Sequence, residues 1–156
     1  MKEVTGDLVA MAESGLFDVI AHGCNIFCTM GKGIAKQIRE VFPEAYSADR
    51  RTTPGEYNKL GTVTYAEIRT HGLVVVNAYT QPEFWRVGQP KGQVFVDYDA
   101  VRMCFRKIKR NWGGTGRRFG IPLIGAGLAG GDWSIISKII ESEMAGEDLT
   151  LVHFGG

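Results

Sequence analysis

Phe119-Gly120-Ile121-Pro122-Leu123-Ile124-Gly125-Ala126-Gly127-Leu128-Ala129-Gly130-Gly131-Asp132-Trp133 is the stretch on which the fold turns. Its first six residues read as a buried strand, with Pro122 hinting at an irregular edge. Four of the next seven are glycine. Beyond them Trp133, Ile136, Ile140 and Met144 repeat at helical spacing. The same order occurs upstream. Phe17-Asp18-Val19-Ile20-Ala21 is a compact apolar run, the residues from Gly23 to Gly33 read as a long turn closing on Gly31-Lys32-Gly33, and Ile34, Ile38, Val41 and Phe42 form a helical face up to a break at Pro43. Strand, glycine turn, helix: in open α/β sheets such turns lie at the carboxyl ends of parallel strands, where ligand crevices form.

Outward from these two units the pattern continues. Lys2 to Thr5 is a short strand, and Asp7 can cap a helix through Leu8, Val9 and Met11 that stops near Gly15. Residues 47–61 are polar and turn-rich. Thr62 to Tyr65 and Leu73 to Val76 flank His71-Gly72 as a hairpin or as neighbouring strands. Pro82 to Gln93 reads as a loop. Asp97 can cap a helix with Val101, Phe105, Ile108 and Trp112 on its inner face, and Leu149 to Phe154 is a closing strand. Alternating strands and helices imply a single domain over 1–156, three-layered, with helices on both faces of a sheet.

Composition narrows the function. The chain has 156 residues with a formal charge of +1, which argues against a protein whose affinity rests on a basic excess, so neither nucleic acid nor a membrane surface is expected as a partner. No apolar run approaches the roughly 18–20 residues of a membrane span, and the start shows no signal-peptide core. Cys24, Cys28 and Cys104 are too few for a disulfide framework, so a reducing, cytoplasmic setting is expected. His22, Cys24 and Cys28 invite a zinc reading, but no second ligand pair follows, and buried thiols without metal are the expectation. Arg102, Arg106, Lys107, Lys109, Arg110, Arg117 and Arg118 form a basic run whose spacing complements the apolar face of its helix, a solvated outer face.

Glycine is the outlier, 21 of 156 residues against a typical share of about 7%. Glycine lets backbone N–H groups approach an anion, and a helix N-terminus adds partial positive charge, so two such loops at one sheet edge could grip a diphosphate from both sides. Each could also be only a tight connection. Gly125, Gly127 and Gly130 match G-x-G-x-x-G, but too little chain follows for a dinucleotide half-domain, and no P-loop motif exists. Asp7 can cap its helix, accept from an adenine amino group, or both. Asp132 carries the same ambiguity. Asn25 is a turn former whose amide would suit a ribose hydroxyl. His22 ends an apolar strand, as a hydrogen-bonded core histidine or an acid–base group.

Gly6-Asp7-Leu8, Asn25, Met30-Gly31-Lys32-Gly33-Ile34-Ala35 and Ile124-Gly125-Ala126-Gly127-Leu128 resemble, in order and over nearly the whole chain, the macrodomain family. The likeness is to its group of terminal ADP-ribose protein glycohydrolases and ADP-ribose-1″-phosphate phosphatases. It implies a mixed, roughly six-stranded sheet with ADP-ribose in a cleft at the strand ends, no cofactor, no metal, and a monomer. It further implies that Asp7 binds the adenine amino group and the Leu8 backbone its ring edge. Asn25 would lie by the distal ribose, with Gly31, Gly33 and Ile34 in the first phosphate loop and Gly125, Ala126, Gly127, Leu128, Ala129 and Gly130 in the second. Where the glycohydrolases of this group carry Lys and Asp, this chain has Gln81 and Ala129, which can form neither a Schiff-type adduct nor a base. Tyr79-Thr80-Gln81 and Gly127-Leu128-Ala129-Gly130-Gly131-Asp132-Trp133 resemble the phosphatase-type members. Hydrolysis of ADP-ribose-1″-phosphate is the activity implied, with His22, Asn25, Gln81 and Asp132 as its catalytic candidates. The alternatives are a non-catalytic ADP-ribose binder and an ADP-ribosyl glycohydrolase.

Overall fold

A computed structural model describes residues 1–84, 93–127 and 129–155. Six strands form one mixed sheet: β1 (Lys2–Gly6), β2 (Val19–Asn25), β3 (Val63–Ile68), β4 (Leu73–Gln81), β5 (Arg118–Ile121) and β6 (Asp148–Phe154), in the order β1-β6-β5-β2-β4-β3. All neighbours pair parallel except β3 with β4. Among the described residues five α-helices cover it: α1 (Leu8–Glu13), α2 (Gly33–Val41), α3 (Pro43–Arg50), α4 (Tyr98–Trp112) and α5 (Trp133–Glu143). Among the described residues no helix is long and apolar enough to cross a membrane.

The two-residue period of β2 builds both cores. Val19 and Ala21 pack with Val101, Phe105 and Ile108 of α4 and Ile136 and Ile140 of α5. Ile20 points the other way, to Val9, Ile38, Phe42 and Ala45 of the α1, α2 and α3 side. A strand buried on both faces reads as a continuous apolar run, which is why this one stands out in the sequence.

Three expectations are corrected. β2 does not stop near Ala21; it runs to Asn25, paired with β4 and carrying His22 in mid-strand. The polar stretch after Pro43 begins with a helix, α3, because proline fits the first helical position and Ala45, Ala48 and Asp49 supply a buried face. β5 is not at an edge: it lies between β6 and β2 and ends at Ile121, before Pro122, which has no N–H to give a ladder. The hairpin expected around His71-Gly72 forms: β3 and β4 pair antiparallel and turn through Arg69–His71 and a left-handed Gly72 at φ +57.

The basic run of α4 finds its acids on the far side of the helix pair. Glu143 takes Arg106 at 2.7 Å and Arg102 at 3.7 Å, Glu147 lies 3.8 Å from Lys109, and Asp18 lies 3.0 Å from Arg118.

Candidate ligand cleft

Both glycine turns leave the same edge of the sheet and line one cavity of about 490 Å³. Asn25, Met30, Gly31, Lys32, Gly33 and Ile34 come from the first, Gly125, Gly127 and Ala129 from the second, and Gln81 from the end of β4, which flanks β2 on the side away from β5. A second hollow of about 440 Å³ shares Gly33, Ile34, Pro122 and Leu123 with the first and adds Leu8, Gln37 and Phe154. Together they form one cleft with a glycine-lined arm and a second, more apolar arm.

The first turn is held by side chains. Asn25 Oδ1 accepts from Phe27 N at 2.8 Å while its Nδ2 donates to Thr29 Oγ1 at 2.9 Å. Cys28 and Met30 take left-handed backbone, φ 60 and 40, a conformation that strains residues with a Cβ and persists only where the surroundings enforce it. The anchor for Cys28 is its sulfur, which donates to Asp49 O at 3.2 Å and lies 3.2 Å from Thr52 Oγ1. α2 then starts without a side-chain N-cap, leaving the first-turn amides toward the cavity, and its dipole adds positive potential there.

The second turn is held by its own backbone. Gly131 N donates to Gly125 O at 2.7 Å, Gly130 N to Gly127 O at 3.0 Å and Phe95 N to Ala129 O at 2.7 Å. Gly125 and Gly130 are left-handed, and a Cβ on Gly130 would stand 2.1 Å from Gln93 O. Gly127 is different: a Cβ there meets nothing within 4 Å. Ala126 and Gly130 support this turn without lining the cavity. Leu128 lies outside the described residues, as does most of the loop expected from Pro82 to Gln93.

At the apolar arm Asp7 caps α1 through Ala10 N at 3.0 Å, and both its oxygens accept from Gln37 Nε2 at 2.9 Å. Its chain neighbours Gly6 and Leu8 and its partner Gln37 line the apolar arm; Asp7 itself does not. Asp132 caps α5, accepting from Ser134 N at 2.9 Å and Ser134 Oγ at 2.7 Å; these bonds hold its carboxyl below the usual range. It does not line the cleft. His22 is fully buried behind the wall. Its Nε2 lies 2.7 Å from Asn77 Oδ1, and Asn77 Nδ2 donates to Ala45 O at 2.9 Å, so the amide orientation puts the proton on Nε2. Burial lowers the His22 pKa to about 4, so the ring is neutral at pH 7.

Several wall residues lie outside the sequence expectations: Cys24, Thr29, Asp49, Phe84, Pro122 and Leu123. Asp49 is the notable one. It is 1% exposed, accepts from the Tyr79 hydroxyl at 2.7 Å, and burial raises its pKa. Lys59 Nζ, itself buried, donates to Ile26 O at 2.8 Å and stands 4.8 Å above the Tyr79 ring. Burial also pushes the thiols up, Cys24 well above its ordinary value and Cys104 to about 12. All three cysteines are free, and among the described residues no three His, Cys, Asp or Glu side chains gather as a metal site requires.

No protein-family model matches the sequence. An uncharacterized 17.5 kDa protein from the tk–vs intergenic region of enterobacteria phage T4 is 35% identical over 161 aligned residues, covering 99% of this chain and 96% of its own length. A Bacteroides thetaiotaomicron protein of unknown function superposes with TM-score 0.81 at 28% identity, covering 98% of this chain and 97% of that one. A Streptomyces coelicolor macrodomain gives 0.74 at 24%, covering 99% of both chains. The Trypanosoma brucei macrodomain, solved with ADP-ribose, gives 0.67 at 17%, covering 98% of this chain and 63% of that one. By identity over nearly all of both sequences the chain belongs to one family with the phage T4 protein, and by superposition its fold is the macrodomain fold.

Proposed function

We propose that the cleft binds ADP-ribose and that the protein hydrolyses ADP-ribose-1″-phosphate to ADP-ribose and phosphate. The observation that carries the binding is the meeting of both glycine turns in one cavity that adjoins an apolar arm lined by Gly6, Leu8 and Gln37, the chain neighbours and hydrogen-bond partner of Asp7. A dinucleotide diphosphate needs amides from two sides for its pyrophosphate and a slot for its base. In this reading the Asp7 carboxylate takes the adenine amino group beside Leu8, and the open end of α2 with Gly31, Gly33 and Ile34 takes one phosphate. The Gly125, Ala126, Gly127, Leu128, Ala129 and Gly130 turn takes the other. Asn25 and Gln81 then flank the distal ribose. The Trypanosoma brucei macrodomain, which shares this fold, was solved with ADP-ribose, and that supports ADP-ribose as the ligand.

The phosphatase step is supported by the residues at the reacting end. Gln81 and Ala129 stand where the glycohydrolases of the resembling group carry Lys and Asp, which disfavours release of ADP-ribose from proteins or DNA. One observation favours a second reading, a non-catalytic binder: His22 is sealed behind the wall and Asp132 is absent from the cavity lining, so neither reaches the ligand. Calorimetric titration with ADP-ribose beside a phosphate-release assay on ADP-ribose-1″-phosphate separates the readings. Saturable heat with phosphate release is expected; heat without phosphate leaves the binder, and absence of heat removes both.

A further inference from the structure

Resting on the phosphatase reading, we infer that Asp49 is the catalytic base that activates the attacking water. Among the described residues lining either arm of the cleft, Asp49 is the one carboxylate; Asn25 and Gln81, its neighbours on the wall, carry amides that neither ionise nor take a proton at neutral pH. The carboxyl reaches the cavity from the last turn of α3 and is fixed in direction by the Tyr79 hydroxyl, which is in turn held 3.0 Å from Thr64 Oγ1. A carboxylate fixed in direction on the wall of the cavity is the arrangement that a positioned base requires.

The groups around it are consistent with that task. Tyr79 from β4, Lys59 from the turn before β3, Cys28 from the first glycine turn and Arg50 beside it on α3 all favour the charged form, while burial opposes it and prevails. Cys24 of β2, kept as a thiol by burial, completes the surroundings. A carboxylate whose pKa is raised accepts a proton more readily than an exposed one. In the reaction, water oxygen bonds to phosphorus as the bond from phosphorus to O1″ breaks. Asp49 takes one water proton and returns it to O1″, which leaves as the sugar hydroxyl, and the remaining hydroxyl stays on phosphate. No other reactant is needed.

The test is phosphate release from ADP-ribose-1″-phosphate by wild type, Asp49→Asn and Tyr79→Phe across pH, with ADP-ribose calorimetry on each. Asp49→Asn is expected to bind ADP-ribose yet lose about 10²–10⁴-fold in kcat, the usual contribution of a positioned base, and to lose the acid limb of the pH profile. Tyr79→Phe keeps the carboxyl but removes the hydrogen bond that lowers its pKa, so its acid limb should move to higher pH. Asp49→Asn turning over like wild type, or an acid limb unmoved in Tyr79→Phe, overturns the assignment while leaving the phosphatase reading intact. Should Asp49→Asn fail to bind through misfolding, the Tyr79→Phe profile decides. Wild type that binds ADP-ribose and releases no phosphate sinks the phosphatase reading, and the role of Asp49 with it.

Discussion

The units β2–α2 and β5–α5 are built from the same elements in the same order, yet their turns are stabilised in opposite ways. Between β5 and α5 the left-handed positions among the described residues are glycines, Gly125 and Gly130, the carbonyls of Gly125 and Gly127 are met by amides of the same turn and that of Ala129 by Phe95 N, and Asp132 caps the helix. Between β2 and α2 the left-handed positions include Cys28 and Met30, side chains of distant segments hold the turn, and the helix starts without a side-chain cap. Among the glycines of the turn between β5 and α5, Gly127 alone has open space where a Cβ would go. The glycine-poorer unit keeps its helix amides for a ligand. Glycine count alone does not mark an anion site; an uncapped helix end facing a cavity is the better sign.

The sharpest way to break this contrast is a methyl group on each of two glycines of the same turn. Gly130→Ala forces a Cβ to 2.1 Å from Gln93 O in a left-handed conformation, so unfolding stability should fall by about 3 kcal/mol or more. Gly127→Ala enters open space at ordinary φ, so stability should change by no more than about 0.5 kcal/mol while ADP-ribose affinity drops. Urea melts and calorimetry on both variants check it. Equal destabilisation would mean that Gly127, too, is a packing residue.

A second difference lies beneath the turns. β2 carries a titratable interior group, His22, whereas β5 is Arg118, Phe119, Gly120 and Ile121, with its only charge at the exposed end. The His22 pKa is about 4 in the folded chain against an ordinary histidine value of 6.5. Because the unfolded state binds the proton more readily, stability from this group is complete above pH 6.5 and is lost as pH falls toward 4. The loss amounts to about 3 kcal/mol. Denaturant melts between pH 7.5 and 4 should show this slope, and His22→Gln should flatten it. An unchanged slope in the variant would place the acid sensitivity elsewhere.

How far the sequence discloses this arrangement follows from which signals are local. β2 and the inner face of α4 are legible because burial on one or both faces imposes an apolar period that needs no partner to be seen. Asp7, Asp97 and Asp132 are legible as caps because capping is a contact within three residues. α3 is not, since its buried face is two alanines and an aspartate, Ala45, Ala48 and Asp49, and its polar composition reads as loop. With the helix hidden, Asp49 is hidden too, because its meaning depends on Tyr79, 30 positions away. The three-residue spacing from Ala45 to Ala48 behind a proline is the available clue. His22 reads as the end of its strand because Gly23 looks like a turn. In fact a Cβ at Gly23 would sit 2.8 Å from Thr80 Oγ1, so its glycine serves close strand packing.

The smallest effect tests whether the end of α5 takes any part in the cleft. Asp132 is hydrogen-bonded to Ser134 through both backbone and hydroxyl, and its own N–H donates to Tyr98 Oη at 3.1 Å. These contacts are complete without a ligand. Asp132→Ala should therefore lower Tm by a few degrees, the ordinary consequence of losing an N-cap, and leave ADP-ribose affinity and phosphate release as in wild type. Calorimetry and a melt distinguish the two roles. A loss of turnover larger than the loss of stability explains would return Asp132 to the reaction, and it would require α5 to swing its first turn toward the ligand on binding. The backbone bonds across Gly125, Gly127 and Gly131 oppose that movement, and Gly130 packed against Gln93 opposes it again. The closed construction of this turn is thus itself the argument that Asp132 holds a helix and does not touch a substrate.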